Sequence, residues 1–240
     1  MADIETIKCL HEEYQEAATA YSLKYNLPLN SFENQCYVEI SNQSKLSYDG
    51  QHMTNSFIKG KFASRIKGYQ SERLMKKAFK INKNKTLKVL DGTGGLGHDS
   101  FILALLGVDV TYVEVNKGLC ILFEEALRNL PNTEYFNSTK NRITIINADS
   151  KDLCDIDDEF DVLYLDPMFK SKKRLARNKE MTFMSRYLKD QMDIDEKYFL
   201  DTNISRKIIK REASYKSKFA ADLEIKGKSI RFDVYLKGSI

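Results

Sequence analysis

The sequence predicts an α/β fold with a mainly parallel seven-stranded sheet, an antiparallel C-terminal hairpin strand, and a small N-terminal α+β extension. Three observations predict it. From about residue 86, short apolar runs alternate with longer segments of helical spacing, the mark of βαβ units. A glycine cluster, Asp91-Gly-Thr-Gly-Gly-Leu-Gly97, stands where the first such run gives way to a helix. Near the end the pattern changes to two strand-like runs around Gly227-Lys-Ser229.

The elements follow in order. Thr86–Leu90 reads as the first strand, Asp99–Leu106 as a helix, Val110–Val113 as a second strand ending at Glu114, and Lys117–Asn129 as a second helix. Ile143–Ile146, Asp161–Leu165 and Arg206–Lys210 read as three further strands, and Ala221–Lys226 with Ile230–Leu236 as the hairpin. Ahead of them, Glu12–Tyr25 has helical spacing, Cys36–Ser41 and Leu46–Tyr48 look like short strands, and Glu72–Phe79 looks like a helix. The expected division is an extension over residues 1–70 and the sheet-bearing domain over residues 71–240.

Composition sets the bounds. A chain of 240 residues, 42% hydrophobic and 30% charged, has room for one such core with a modest extension. It contains no apolar run of the roughly 18 residues that a membrane span needs. Met1–Leu10 carries Asp3 and Glu5 and does not resemble a secretory signal, so a cytoplasmic protein is expected. Cys9, Cys36, Cys120 and Cys154 are scattered, with neither C-x-x-C nor histidine at ligand spacing, and no metal or disulfide framework is expected. The net charge of +4 is small, but it is sorted by region: residues 170–179 hold six basic side chains and no acid, whereas residues 149–161 hold seven acids and one lysine.

The candidate chemistry lies at the carboxyl ends of the expected strands, where open α/β sheets hold their ligands. Glycines between a strand and a helix let a ligand approach the backbone without a Cβ clash. Gly92, Gly94 and Gly97 fit G-x-G-x-x-G, so the loop alone suits a nicotinamide dinucleotide as well as S-adenosylmethionine. Asp91 closes the first strand, and Glu114 closes the second at the place of a ribose-diol acceptor. Asp166-Pro-Met-Phe169 tips the balance, because it resembles the (D/N)-P-P-(Y/F) motif of methyltransferases that act on exocyclic amino groups.

The lone pair of such an amine is delocalised into its ring, and acceptors on its N–H groups localise it as the methyl arrives. Asp166 and the Pro167 carbonyl would be those acceptors, with Phe169 stacking on a base held out of its helix. Lys170, Lys172, Lys173, Arg174 and Arg177 follow at once and suit phosphates. A second basic stretch, Lys59, Lys61, Arg65 and Lys67, is expected to hold RNA from the other side.

These blocks, in order, resemble the RsmJ family of Rossmann-like class I methyltransferases, which use S-adenosylmethionine to modify the 2-amino group of a guanine in bacterial small-subunit (16S) rRNA. The resemblance runs from about Phe57 to the C-terminus. It rests on LDGTGGLGHDSFILALLG (90–107), Glu114 with Asn116, NADS (147–150), YLDPMF (164–169), Lys210-Arg211 and KGKSIRFDVYLKG (226–238). It implies cofactor contacts at His98, Asp99, Glu114, Val115, Asp149, Ser150 and Asp166, and small-subunit rRNA or the ribosomal subunit as partner. Two other enzyme readings keep the chemistry and change the acceptor, to an amine of another nucleic-acid base or to a protein glutamine. A third reading is a non-catalytic RNA-binding assembly factor.

Overall fold

The structure, a computed structural model, describes residues 4–31, 35–82, 84–154, 159–167, 179–188 and 194–237. By their contacts they divide into two units, one drawn from segments 1–60, 116–130 and 169–193, the other from 61–115, 131–168 and 194–240.

In the first unit, β1 (Thr6–Lys8), β2 (Cys36–Glu39), β3 (Lys45–Tyr48) and β4 (Gln51–Thr54) form a four-stranded sheet in that order. Only the β1–β2 pair is parallel. Strand alternation sends Ile7, Val38, Leu46 and Met53 to one face, where all four are buried. Helix α1 (Gln15–Tyr25) follows a 3-10 turn at Glu12–Tyr14, so the helix expected from residue 12 starts later. It buries Ala18, Tyr21 and Tyr25 at helical spacing and stops where Asn26 adopts a left-handed φ of 50°.

Two helices from later in the chain complete this unit, α5 (Lys117–Arg128) and α8 (Lys179–Tyr187). Helix α5 packs on β2 and β3. Its N-cap is the buried Asn116, whose Oδ1 accepts from the Leu119 amide at 3.1 Å and from the Tyr187 hydroxyl at 2.8 Å. A Cβ at Gly118 would come within 3.0 Å of Ile4, Leu46 and Tyr187, so only glycine lets the helix sit this close. The buried Glu125 accepts from the Tyr21 hydroxyl at 2.9 Å and from the Ser44 hydroxyl, and Arg128 closes on it through Nε at 2.6 Å.

The second unit is built on a seven-stranded sheet: β5 (Lys88–Asp91), β6 (Asp109–Val113), β7 (Ile143–Ile146), β8 (Val162–Leu165), β9 (Arg206–Glu212), β10 (Leu223–Lys226) and β11 (Ile230–Leu236). The spatial order is β10-β11-β9-β8-β5-β6-β7. Strands β5 to β9 run parallel, while β11 pairs antiparallel with both β9 and β10, as the hairpin pattern leads one to expect. The order reverses between β5 and β8, and that switch point is where such sheets open a crevice at their carboxyl edge.

One face of the sheet carries Leu90, Val113, Leu163, Leu165, Ile209 and Tyr235, which pack with Phe199, Leu200 and Ile204 in and after α9 (Glu196–Asp201). On the other face Tyr164 meets Phe79 of α3 (Arg73–Phe79) and Phe232, and Asp91 meets Ser100 of α4 (His98–Leu105). The short α2 (Gly60–Lys67), α6 (Glu134–Lys140) and α7 (Lys151–Cys154) are not among the elements expected from the sequence. Strand β9 continues past Lys210 because Arg211, fully buried, is neutralised by Asp233 at 2.7 Å and Glu196 at 2.8 Å. No described helix is long and apolar enough to cross a membrane.

Glu125 gives a stability test for the first unit. Replacing it by alanine strips an acceptor from two hydroxyls and from a partly exposed guanidinium. The expected cost is about 2–3 kcal/mol, read as a lower urea midpoint; an unchanged midpoint would show that the network contributes nothing.

Candidate active site

The glycine loop is held from below by its own sheet. The Gly92 amide donates to the Tyr164 carbonyl at 3.0 Å and the Gly94 amide to the Val113 carbonyl at 2.9 Å, so the loop is bolted to β8 and to β6. A Cβ at Gly94 would fall inside the buried Tyr112 ring, and one at Gly92 would press on Leu165 and Ser150. Gly95 and Gly97 take left-handed φ values of 55° and 73°, which a side chain disfavours. The result is a bare, curved backbone segment leading into α4.

Around it lie three groups suited to a nucleoside. Glu114, half-buried, accepts from the Gly95 amide at 2.9 Å. Val115 next to it is 41% exposed, an apolar surface at the end of β6, and the Asn147 amide fixes that turn by donating to the Glu114 and Val115 carbonyls at 2.9 and 2.8 Å. Asp149 is exposed beyond β7, and Ser150 behind it is buried. The expected residues of the loop, β6 and β7 therefore meet along one strand edge. Acceptor carboxylates, an apolar side chain and a side-chain-free loop fit S-adenosylmethionine, whose ribose hydroxyls and adenine amine need acceptors.

Asp166 stands at the end of β8, and its amide donates to the Thr93 hydroxyl of the glycine loop at 2.6 Å. Its Oδ2 takes the Lys210 ammonium at 2.6 Å. The same ammonium reaches Asp99 Oδ2 at 2.7 Å, the Tyr164 hydroxyl donates there at 2.6 Å, and Arg65 holds Asp99 Oδ1 at 2.6 Å and Glu72 at 2.6 Å. Both oxygens of the expected cofactor ligand Asp99 thus serve this internal chain of charges. Lys210, Tyr164 and Arg65 are the residues that motif reasoning did not place in the site. The one available signal was Lys210, which with Arg211 is one of the ordered blocks of the sequence and closes the Ile208-Ile209 core of its strand.

Arg65 corrects an expectation. It does not offer its charge to RNA with Lys61 and Lys67, because two acids of its own unit hold it. His98, at the start of α4, stacks on Phe62 with ring centroids 4.0 Å apart. Pro167 is buried beside Asp166. Phe169, Lys170, Lys172, Lys173, Arg174 and Arg177 lie outside the described residues.

The electrostatics follow from burial and charge. Burial works against ionising Asp99, yet Lys210 and Arg65 hold its carboxyl well below the usual carboxylate range. Lys210 is kept protonated by Asp99 and Asp166 in spite of its burial. Burial lowers His98 to about 4, so it is neutral near pH 7. Burial pushes Asp91 up to about 7, with the Ser100 hydroxyl opposing and the Asp99 charge adding to the rise.

The folded protein therefore keeps a proton on Asp91 that the unfolded chain releases near pH 4, and this group costs stability progressively as pH rises from about 4 to about 7. His98 acts in the opposite direction up to its unfolded value of about 6.5. Comparing Asp91→Asn with the parent isolates Asp91, since His98 is common to both. The difference in Tm, variant minus parent, should grow by several degrees from pH 5 to 7 and level off above; a flat difference would refute the shift.

A family model for SAM-dependent methyltransferases matches residues 20–237. Ribosomal RNA small subunit methyltransferase J of Francisella tularensis subsp. novicida is 30% identical over 208 residues, covering 83% of this chain and 86% of its own. The protein of the same description in Shewanella sediminis is 31% identical over 222 residues, covering 87% and 83%. The crystal structure of a SAM-dependent methyltransferase from Neisseria gonorrhoeae superposes with a TM-score of 0.73, at 23% identity, over 98% of this chain and 97% of that one, and so shares the fold. By the family match and by these relatives, the chain belongs to the RsmJ family of SAM-dependent methyltransferases.

Proposed function

We propose that the chain methylates the exocyclic 2-amino group of a guanine in small-subunit rRNA, and does so in the cytoplasm. The observation that carries this reading is Asp166, fixed by Thr93 to the glycine loop and by Lys210 to β9, at the carboxyl end of the strand beside the switch point. The description of the curated relatives names the RNA.

The backbone of Gly92–Gly97 would hold the cofactor, with Asp91 beneath it, Glu114 on the ribose hydroxyls, Asp149 on the adenine amine and Val115 against the ring. When bound, S-adenosylmethionine supplies a methyl group on a sulfonium, ready for displacement. Asp166 accepts from one N–H of the target amine and the Pro167 carbonyl from the other, which turns the nitrogen lone pair toward the methyl. With Oδ2 on Lys210, Asp166 keeps Oδ1 for this task. Asp166 is a hydrogen-bond acceptor here, the surplus proton of the methylated nitrogen leaves to solvent after the transfer, and alignment of the reacting atoms supplies most of the acceleration. Phe169 stacks on the base, and Lys170, Lys172, Lys173, Arg174 and Arg177 hold the flanking phosphates.

Lys210 is the positioning residue. Burial holds the Asp166 carboxyl above the usual carboxylate range; the Lys210 ammonium opposes that rise and the Asp99 charge adds to it, with Arg65 reinforcing Lys210 and Tyr164 completing the set through Asp99.

Three measurements test the reading. Labelled S-adenosylmethionine and small subunits from a strain lacking the endogenous enzyme should yield label in a guanine; label in another base, in protein, or nowhere would overturn it. Asp166→Ala should lower kcat about a hundredfold or more with the fold intact, and more than about a tenth of the activity remaining, a barrier change below about 1.4 kcal/mol, would remove the assigned role. Lys210→Met should lower kcat, leave cofactor affinity within about twofold, and move the acid limb of the kcat profile to higher pH, since Asp166 without its cation takes up a proton sooner. An unmoved limb would make Lys210 merely structural.

A further inference from the structure

Residues 61–88 hold ten basic side chains and a single acid, Glu72, in a chain whose net charge is only +4. Glu72 is already taken by Arg65. Helix α3 buries Met75, Ala78 and Phe79, which turns Arg73, Lys77 and Lys80 to solvent together. Lys61 and Lys67 of α2 are exposed as well, and none of these five pairs with an acid among the described residues. The stripe starts at the site, because Phe62 of α2 stacks on His98, directly after the last loop glycine.

Aromatic surface accompanies the charge. Tyr69, two residues beyond α2, lies 6.4 Å from the ring of Tyr135, which is 46% exposed at the start of α6 and is flanked by Phe136 at 5.2 Å. Exposed cations on an ordered helix face, with open aromatic rings beside them, suit a nucleic-acid strand: the cations take phosphates and the rings take unstacked bases. An anionic membrane fits less well, since the solvent side of α3 presents no large apolar side chain that could enter it.

From this we infer that α2, α3 and the Tyr69–Tyr135 pair form a docking surface for the RNA substrate, separate from the basic run after Asp166. Resting on the reading given under Proposed function, it assigns recognition of RNA beyond the target base to the flank of the sheet-bearing unit. Arg73, Lys77 and Lys80 contact phosphates there, and Tyr135 stacks on a base.

The test uses the full chain, small-subunit rRNA and a KCl titration of the binding constant. Arg73→Gln, Lys77→Gln and Lys80→Gln combined should weaken binding about tenfold or more at physiological salt and reduce the slope of log K against log salt by about 2–3, near 0.7–0.9 per lost phosphate contact. Tyr135→Leu should weaken binding about fivefold or more and leave the slope unchanged, as a lost stack does. A control with the same number of charges removed, Lys216→Gln, Lys218→Gln and Lys228→Gln, should leave the slope near that of the parent.

If the α3 variant keeps the affinity and slope of the parent, or the control matches its loss, the surface is refuted while rRNA methylation stands. If the parent itself neither binds nor labels rRNA, the functional reading fails first, and the surface with it. Binding of the parent to phosphatidylglycerol vesicles in preference to rRNA, lost in the α3 variant, would assign the stripe to a membrane and overturn the inference. Calorimetry with S-adenosylmethionine, expected to be unchanged in every variant, confirms that each remains folded.

Discussion

The Lys210 ammonium, placed between the carboxylates of Asp99 and Asp166, is the interaction on which the site depends. Three acids, Asp91, Asp99 and Asp166, converge at the carboxyl edge of β5 and β8. Buried like charges at such distances raise one another's pKa. Lys210 and Arg65 supply the opposite charge, and Tyr164 adds a hydroxyl to Asp99. The cluster then settles into distinct states: Asp99 firmly ionised, Asp91 drawn toward neutrality, and Asp166 held between burial and its cation. One lysine from β9 thus couples the helix after the glycine loop to the residue assigned to the acceptor amine.

The switch point explains why these groups meet. Strands β5 and β8 are neighbours in space but 70 residues apart in sequence, and the reversal of order between them opens the crevice. The glycine loop is stitched twice to β8 and its end, through Gly92 to Tyr164 and through Thr93 to Asp166, so its curvature and the position of Asp166 are set together. A loop held in this way needs little reordering when a ligand arrives, which favours tight and oriented binding.

Much of this was legible in the residues. Strands at Ile143–Ile146 and Ile230–Leu236 have the expected limits, and the helix after the glycines starts one residue early. Period-two and period-3.6 patterns report burial against near neighbours, and there they succeed. They fail where partners are remote. Lys210 reads as a strand end until Asp99, 111 residues earlier, and Asp166, 44 residues earlier, are seen beside it. Arg65 reads as a surface cation for the same reason. Strands β1 and β4 are short and largely polar, and α2 and α6 are only two turns long, too short for their spacing to stand out.

Helix α5 has a consequence for how the molecule comes into being. Its close packing on β2 and β3 through Gly118, with Asn116 tied to Tyr187, means that part of the apolar covering of the four-stranded sheet comes from chain made long after it. On the ribosome, the first sixty residues would emerge with Val38 and Leu46 exposed and wait for more than a hundred further residues before Tyr187 could close the cluster. Contacts of such sequence separation are slow to form and leave strands open to mispairing meanwhile. The core around Val38 and Leu46 is therefore complete only once the chain has been made through Tyr187.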